Sequence, residues 1–463
     1  MDSANGMYDP VSFSNDASKT GTFWGTQPVV QIGDVPSAED GPIIVPTLEA
    51  IARIPQTPYQ LPDGYEWCQV DVTTPLQAQE LHELLCEHYI EFNDTFRFRY
   101  STQFLLWALC PPGYHRNLHL GVRETSTNRL LAFIAGIPSK IRIRANVIKC
   151  AVINFLCIHK QLRSRRLTPI MIQEVSRIAV HLGIYYGVHT AIHHHHSPVS
   201  TVHYYHRILD VRKLVDVGFY HIGRGATLAR EIRLHAVPDS HKTTGLREMK
   251  ASDMDQVIRL YESHFRRFGI APIWSKSDMQ HILLGGLGSG DPVNGRRPGQ
   301  VVWAYVSENQ KTERITSFIS FYSLPITVLK NESHHMIDAA YLFYYAVDVP
   351  TESVGDATFH KSQVHDVVHD TVIEASKVGI LSHSPLLFTL ILFKLGFDVI
   401  TVATWMENQI FLRDLKFERG SGHLHYFLHN WRTAPMGDID GDDFSSEAEP
   451  SVDAGQQVGL ILV

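Results

Sequence analysis

Residues 152–180 read VINFLCIHKQLRSRRLTPIMIQEVSRIAV, and their order of chemistries decides the fold. The first six residues are apolar apart from Asn154 and open on the β-branched pair Val152 and Ile153, the pattern of a buried strand. From Ile170 onward, Met171, Val175, Ile178 and Leu182 recur at helical spacing, which predicts a helix over 169–182. Thr168 is placed to cap that helix and Pro169 to occupy its first position, where no N–H is needed. Between strand and helix stand Lys160, Arg163, Arg165 and Arg166. Positive charge at a helix start opposes the helix dipole, so such a cluster is unfavourable unless an anion sits there. A strand, a basic bend and a helix N-terminus together form an anion site, in which arginine forks onto phosphate oxygens. The absence of GxxxxGK excludes a nucleoside-triphosphate P-loop.

The cluster stands against an acidic background. The chain has 463 residues, a formal charge of -7, 44% hydrophobic and 19% charged residues. That length predicts two to four domains, or two sharing one large core, and the net charge argues against a general nucleic-acid binder. Five cysteines without paired spacing (Cys68, Cys86, Cys110, Cys150, Cys157) suit a reducing, cytoplasmic compartment. The first residues lack the basic start and apolar core of a secretory signal, and no apolar run reaches the length of a membrane span.

Strand and helix patterns alternate along the chain, which indicates an α/β class. LAFIAGIP at 131–138 and TSFISFYSLP at 316–325 are apolar strands ending in proline. Each precedes another strand, VINFLCIHK or AAYLFYYAV, and then a helical stretch, at 169–182 and about 361–378. This echo predicts two related halves, 21–240 and 241–463, after a disordered segment 1–20, with a linker near 235–245. Residues 437–457 are acidic and turn-rich, yet the chain closes with apolar VGLILV, which needs a place to dock.

VINFLCIHK resembles the signature of the N-myristoyltransferases, with Val152 where the family usually has Glu. The resemblance continues through TFWGTQPV at 22–29, FRFRYSTQFLLWALCPPGY at 96–114, MENQIFLRDLKF at 406–417, HNWR at 429–432 and the terminal VGLILV. It implies two pseudo-symmetric GNAT-like halves forming one saddle-like mixed sheet. It also implies transfer of myristate from myristoyl-CoA, as co-substrate, to the N-terminal glycine amine of proteins, without a metal. By motif position, the thioester carbonyl faces the backbone amides of Phe155 and Leu156, and such an oxyanion hole requires a bulge there. Cys157 and Ile158 continue the cofactor wall. Arg163, Ser164, Arg166, Leu167 and Thr168 match the phosphate-binding bend, and Thr22, Phe23 and Trp24 the segment covering the cofactor. Asn154 and Thr190 match polar groups near the amine. Tyr89, Phe96, Phe98, Tyr204, His206 and Tyr341 match the peptide groove.

The implied base is the carboxylate of Val463. In water, proton transfer from an amine to a carboxylate is uphill by roughly 4 pKa units, about 5–6 kcal/mol. Burial narrows that gap from both sides, which gives an apolar tail a purpose. His206 is the rival base. The HHHH run at 193–196 reads as a solvated loop. A monomer is expected, although no residue pattern specifies the oligomeric state; recruitment to ribosomes or membranes stays open.

The sequence departs from the family in the peptide half. KFERGSG at 416–422 places Glu418 and Ser421 where glycine and aspartate are usual, Ile326 replaces a serine, and Thr401 an asparagine. The acidic run after Tyr89 is reduced to IEFND. These replacements predict a weakened preference for a basic residue in the substrate. They also keep two rival readings in view: an acyl-CoA-binding paralogue acting as a regulatory module, and acyl transfer to lysine amines.

Overall fold

A computed structural model describes residues 23–34, 39–92, 94–293, 295–348, 357–378, 396–437 and 457–463. Thr22, the segment 1–20 and nearly all of the acidic stretch 437–457 lie outside the described residues, as do the side chains at 91–93.

Twelve strands form the spine of the protein: β1 (Tyr65–Gln69), β2 (His119–Glu124), β3 (Leu130–Ile143), β4 (Asn146–Ile158), β5 (Tyr186–Ala191), β6 (Ser200–Ile208), β7 (Leu246–Glu248), β8 (Val302–Asn309), β9 (Arg314–Ser323), β10 (Ala339–Val347), β11 (Val399–Ala403) and β12 (Glu418–His429). They lie side by side in the order 7-8-9-10-11-6-12-5-4-3-2-1, and Ile270–Pro272 pairs with β3 beside that path. The order is a palindrome with its centre between β6 and β12. In each wing an antiparallel meander ends in a parallel pair, β4 with β5 and β10 with β11. The central strands are exchanged. β6 pairs with β11 and β12, while β12 pairs with β6 and β5.

Near-continuous apolar composition suits strands covered on both faces. Phe133, Ala135 and Ile137 of β3 face the larger hydrophobic cluster, while Ala132 and Ile134 face a smaller one. The smaller cluster is closed by Met171, Val175 and Ala179 of the helix after β4. Every residue of β10 is buried. A small sheet joins Glu91–Phe92, Phe96–Phe98, Ile326–Val328 and Met336–Ile337. Among the described residues no helix is long and apolar enough to cross a membrane. The five cysteines are unpaired.

At the mouth of β10 and β11 sits a strained charge group. Asp338 is 2% exposed, and neither carboxylate oxygen has a hydrogen-bond partner. Its backbone N–H donates to Asp398 Oδ2 at 2.7 Å, and Lys213 Nζ pairs with the same oxygen at 2.6 Å. Lys213 and Arg296 stand 4.0 Å from Asp338 itself. Burial, reinforced by Asp398, pushes the Asp338 carboxyl up to about 6. Its folded pKa therefore exceeds its unfolded one, so the folded state binds the extra proton between about pH 4 and 6, and stability falls as pH rises through that window. Asp338→Asn is expected to raise stability at pH 7 by about 1–3 kcal/mol, with the gain fading below about pH 4. Denaturant unfolding at the two pH values measures it; an equal or negative difference at pH 7 would count against the assignment.

Candidate active site

The break in β4 is the centre of the site. Asn154 pairs with Ala135 and Cys157 with Phe133, so Phe155 and Leu156 together oppose the single residue Ile134. This is the expected bulge, and Phe155 adopts φ 56, a conformation uncommon for a residue with a Cβ. Packing holds it there. The Phe155 ring lies 5.9 Å from Tyr89 and 5.5 Å, edge to face, from Tyr100, whereas Leu156 packs on the opposite, smaller cluster. Burial raises the Tyr89 hydroxyl's pKa. Cys157 and Ile158 are buried just beyond, and burial pushes the Cys157 thiol up to about 12.

After β4 the chain makes a 3-10 turn over Lys160–Arg165, pinned by buried Leu162. The helix then begins at Leu167, not Pro169, and runs to His181. Thr168 does not cap it; Arg166 does the work of the boundary by adopting φ 55. Pro169 is tolerated in the first turn because those N–H groups have no intrahelical partner. Arg163, Ser164, Arg165, Arg166 and Thr168 are exposed, Leu167 is buried, and no acidic residue lies in the first turn. Arg163 also spends donors internally, on the carbonyls of Ile158 (3.4 Å) and His88. The concentration of positive charge is felt nearby. Burial, then His159, Lys160 and Arg163, hold the His88 imidazole down at about 4.

Trp24 is buried and lies 5.8 Å from the rings of His189 and His195 and 4.9 Å from His196, with Phe23 edge-on at 5.2 Å. The HHHH run is therefore only half a solvated loop. His193 and His194 are exposed, but His196 is buried between Trp24 and Phe427.

The groove residues fall into two connected groups. Phe98, Tyr341 and Tyr89 join the bulge through Tyr100, with Phe98 at 6.0 Å from Tyr100 and 6.3 Å from Tyr341. Tyr100 was not singled out from the sequence; the aromatic alternation FRFRY was its only signal. Phe96 instead meets Phe219, which packs at 5.3 Å on His206. His206 Nδ1 is 3.0 Å from Thr401 Oγ1, and Thr401 also hydrogen-bonds Tyr341. Burial holds His206 down at about 4, so it is neutral at pH 7. Tyr204 sits edge-on to Trp405 at 6.2 Å.

The departures acquire physical meaning here. Gly420 and Gly422 pass so close to His206 and Tyr204 that a Cβ would fall 2.5 Å from His206 Nε2 and 3.1 Å from the Tyr204 ring. Glu418 points elsewhere, pairing with His235 Nε2 at 3.2 Å and accepting from the Tyr220 hydroxyl at 3.3 Å. Ser421 is exposed within a register shift of β12, and Ile326 is buried opposite Phe98.

The tail docks. Val458 forms a parallel bridge to Ile270, Tyr426 Oη donates to the Leu460 carbonyl at 2.8 Å, and the Ile461 N–H donates to Tyr344 Oη at 2.9 Å. Tyr426 pairs across the sheet with Thr190, and Leu462 and Val463 pack half-buried on the main core. The apolar terminus therefore reaches the middle of the sheet, on the side of Thr190.

The family model for the N-terminal domain of myristoyl-CoA:protein N-myristoyltransferase matches residues 44–202, and the C-terminal domain model matches 216–461. A glycylpeptide N-tetradecanoyltransferase of Ajellomyces capsulatus is 38% identical, covering 95% of this chain and 78% of that protein. One from Arabidopsis thaliana, glycylpeptide N-tetradecanoyltransferase 1, is 38% identical over 90% of this chain and 87% of its own length. A crystal structure of Saccharomyces cerevisiae N-myristoyltransferase with bound myristoyl-CoA superposes with a TM-score of 0.83 at 33% identity, covering 96% of this chain and 99% of that one.

Proposed function

The chain belongs to the myristoyl-CoA:protein N-myristoyltransferase family, and from that premise we propose how it moves myristate from myristoyl-CoA to an N-terminal glycine amine. The thioester carbonyl lies against the amides of Phe155 and Leu156, which stabilise the oxyanion that develops there. Arg163, Arg166, Ser164, Thr168 and the helix start at Leu167 take the CoA phosphates. Phe23 and Trp24 cover the cofactor, with Thr22 next to them in sequence, and Cys157 and Ile158 line its wall. Asn154 and Thr190 orient the glycine ammonium, and the Val463 carboxylate accepts its first proton. The free amine attacks, the C–N bond forms, the C–S bond breaks, and the second amine proton leaves with the CoA thiolate as thiol. These steps need no metal. Tyr89, Phe96, Phe98, Tyr204, His206 and Tyr341 shape the groove for the peptide.

The bulge at Phe155–Leu156 is the observation that carries this reading, because it takes two successive amides out of ladder register at one point. We place cofactor binding in 21–240 and a peptide groove shared between that half (Tyr89, Phe96, Phe98, Tyr204, His206) and 241–463 (Tyr341), in a cytoplasmic monomer; the unpaired cysteines support the reducing compartment. The test is incubation with myristoyl-CoA and a peptide beginning with glycine, followed by mass spectrometry. Myristate on the free glycine amine is expected. An acetylated peptide modified on lysine would favour the lysine reading, and cofactor binding with no product the regulatory one.

Chain length supplies a second measure. Each buried CH₂ contributes about 0.8 kcal/mol, so a ten-carbon ester, four methylenes short, forgoes about 3 kcal/mol if the pocket is fully apolar. Its affinity by calorimetry is expected to be at least about tenfold below that of myristoyl-CoA. Equal affinities would show that the pocket does not measure the chain.

A further inference from the structure

Three segments far apart in sequence meet beneath the entry of the tail. His264 is the penultimate residue of the helix Met254–Phe265, His360 lies in the first turn of the helix Ala357–Lys377, and Glu407 follows β11. Glu407 Oε1 is 3.1 Å from His264 Nε2 and 2.7 Å from His360 Nε2, and the three ligand atoms all lie within 4.8 Å of one another. His264 is 1% exposed, and neither of its ring nitrogens makes a well-directed hydrogen bond. His360 Nε2 faces a contradiction. Arg267 Nη1 stands 2.6 Å away and can only donate, while Glu407 can only accept, and one ring nitrogen serves one of them. Hydrogen bonding alone thus leaves buried imidazole nitrogens unmatched, whereas a cation taking lone pairs from both imidazoles and the carboxylate satisfies all three.

We propose that His264, His360 and Glu407 bind a divalent transition metal of the zinc class. Two imidazoles and one carboxylate are a ligand set that zinc accepts, with a fourth position for water. Bonds of about 2.1 Å at tetrahedral angles separate ligand atoms by roughly 3.4 Å, so the two Glu407 contacts, at 3.1 and 2.7 Å, need to open by less than about 1 Å. Arg267 stands in the apo protein as the competing cation. Its side chain is 30% exposed, so it can swing outward while still facing Glu407 Oε2, now 3.3 Å away. The site's part is structural. Met406 N–H donates to the Val458 carbonyl at 2.8 Å, Gly269 N–H to that of Gln457 at 2.9 Å, and Gly459 N–H to that of Ile270 at 2.7 Å. A metal tying His264 and His360 to Glu407 braces both walls of the slot through which the tail enters.

The experiment uses the full chain, stripped with a chelator and titrated with Zn²⁺ alone, followed by calorimetry, metal analysis and thermal unfolding. Co²⁺ provides a visible absorption signature for a four-coordinate site. One equivalent is expected to bind and raise Tm. His360→Gln should weaken that equivalent by at least about a hundredfold, since even outer-shell losses cost 10–100-fold. Arg267→Met should tighten it, because the competing charge is gone. Zinc held only by the His193–His196 run would survive His360→Gln unchanged and lose its stabilising effect in His193→Asn/His194→Asn. Unchanged binding in His360→Gln, weaker binding in Arg267→Met, or no stoichiometric zinc in the parent protein would each overturn the proposal.

Discussion

A chain extended beyond Val463 by a short glycine tail is expected to transfer myristate about 10²–10⁴ times more slowly, with myristoyl-CoA affinity nearly unchanged. The extension moves the carboxylate away from its docked position without touching any side chain. Leu460 and Ile461 stay anchored on Tyr426 and Tyr344, so the tail itself remains in place. The rival base weakens on inspection. An ordinary imidazole is closer in pKa to an amine than a carboxylate is, but burial holds His206 at about 4, which removes that advantage. His206 also has its Nδ1 engaged by Thr401 and its Nε2 pressed against Gly420. Single-turnover kinetics separate the outcomes: a collapse of the chemical step assigns the proton transfer to the terminal carboxylate, and full rate in the extended protein excludes it.

Replacing both Arg163 and Arg166 by alanine is expected to weaken myristoyl-CoA binding by about 2–4 kcal/mol, taking hydrogen bonds to charged groups at about 1.5–3 kcal/mol each with partial non-additivity. The two residues differ in what else they do. Arg163 donates to the carbonyls of Ile158 and His88, so its loss also loosens the end of the helix Pro75–His88. Arg166 holds the left-handed boundary of the next helix and is exposed, so Arg166→Lys should keep the fold while losing the bidentate fork. Calorimetry with CoA and with myristoyl-CoA distinguishes phosphate loss from a general effect. If both ligands bind the double variant as before, the bend is no phosphate site.

The class of fold and the elements that build the candidate site were legible because they rest on local patterns. The apolar runs of β3, β4, β9 and β10, the basic bend and the following helix all carry their signal within a dozen residues. What escaped was set by tertiary packing. The bulge in β4 was expected from the family resemblance, since FLC contains no glycine to mark one; what no local pattern shows is that Phe155 holds φ 56 with Tyr89 and Tyr100 around its ring. The helix start shifted from Pro169 to Leu167 because Arg166 took the left-handed conformation that sequence patterns assign to glycine or asparagine. His196 belongs to a run that reads as a solvated loop, yet Trp24, some 170 residues earlier, covers it. The meeting of His264, His360 and Glu407 has no spacing at all, since each comes from a different element.

The exchange of central strands has a consequence for biosynthesis. During synthesis β6 emerges about 190 residues before β11 and about 210 before β12, its two neighbours in the sheet; Thr201 and His425, which hydrogen-bond at 2.8 Å, are 224 residues apart. At about 5–20 residues per second, a ribosome needs on the order of ten to fifty seconds to deliver β12. For most of that interval, until β11 appears, the nascent chain carries β6 with no native partner, and until β12 appears it carries β5 with one open edge; open edges recruit foreign strands. The first half thus cannot finish folding as it is made, and the last strand to appear closes both halves at once.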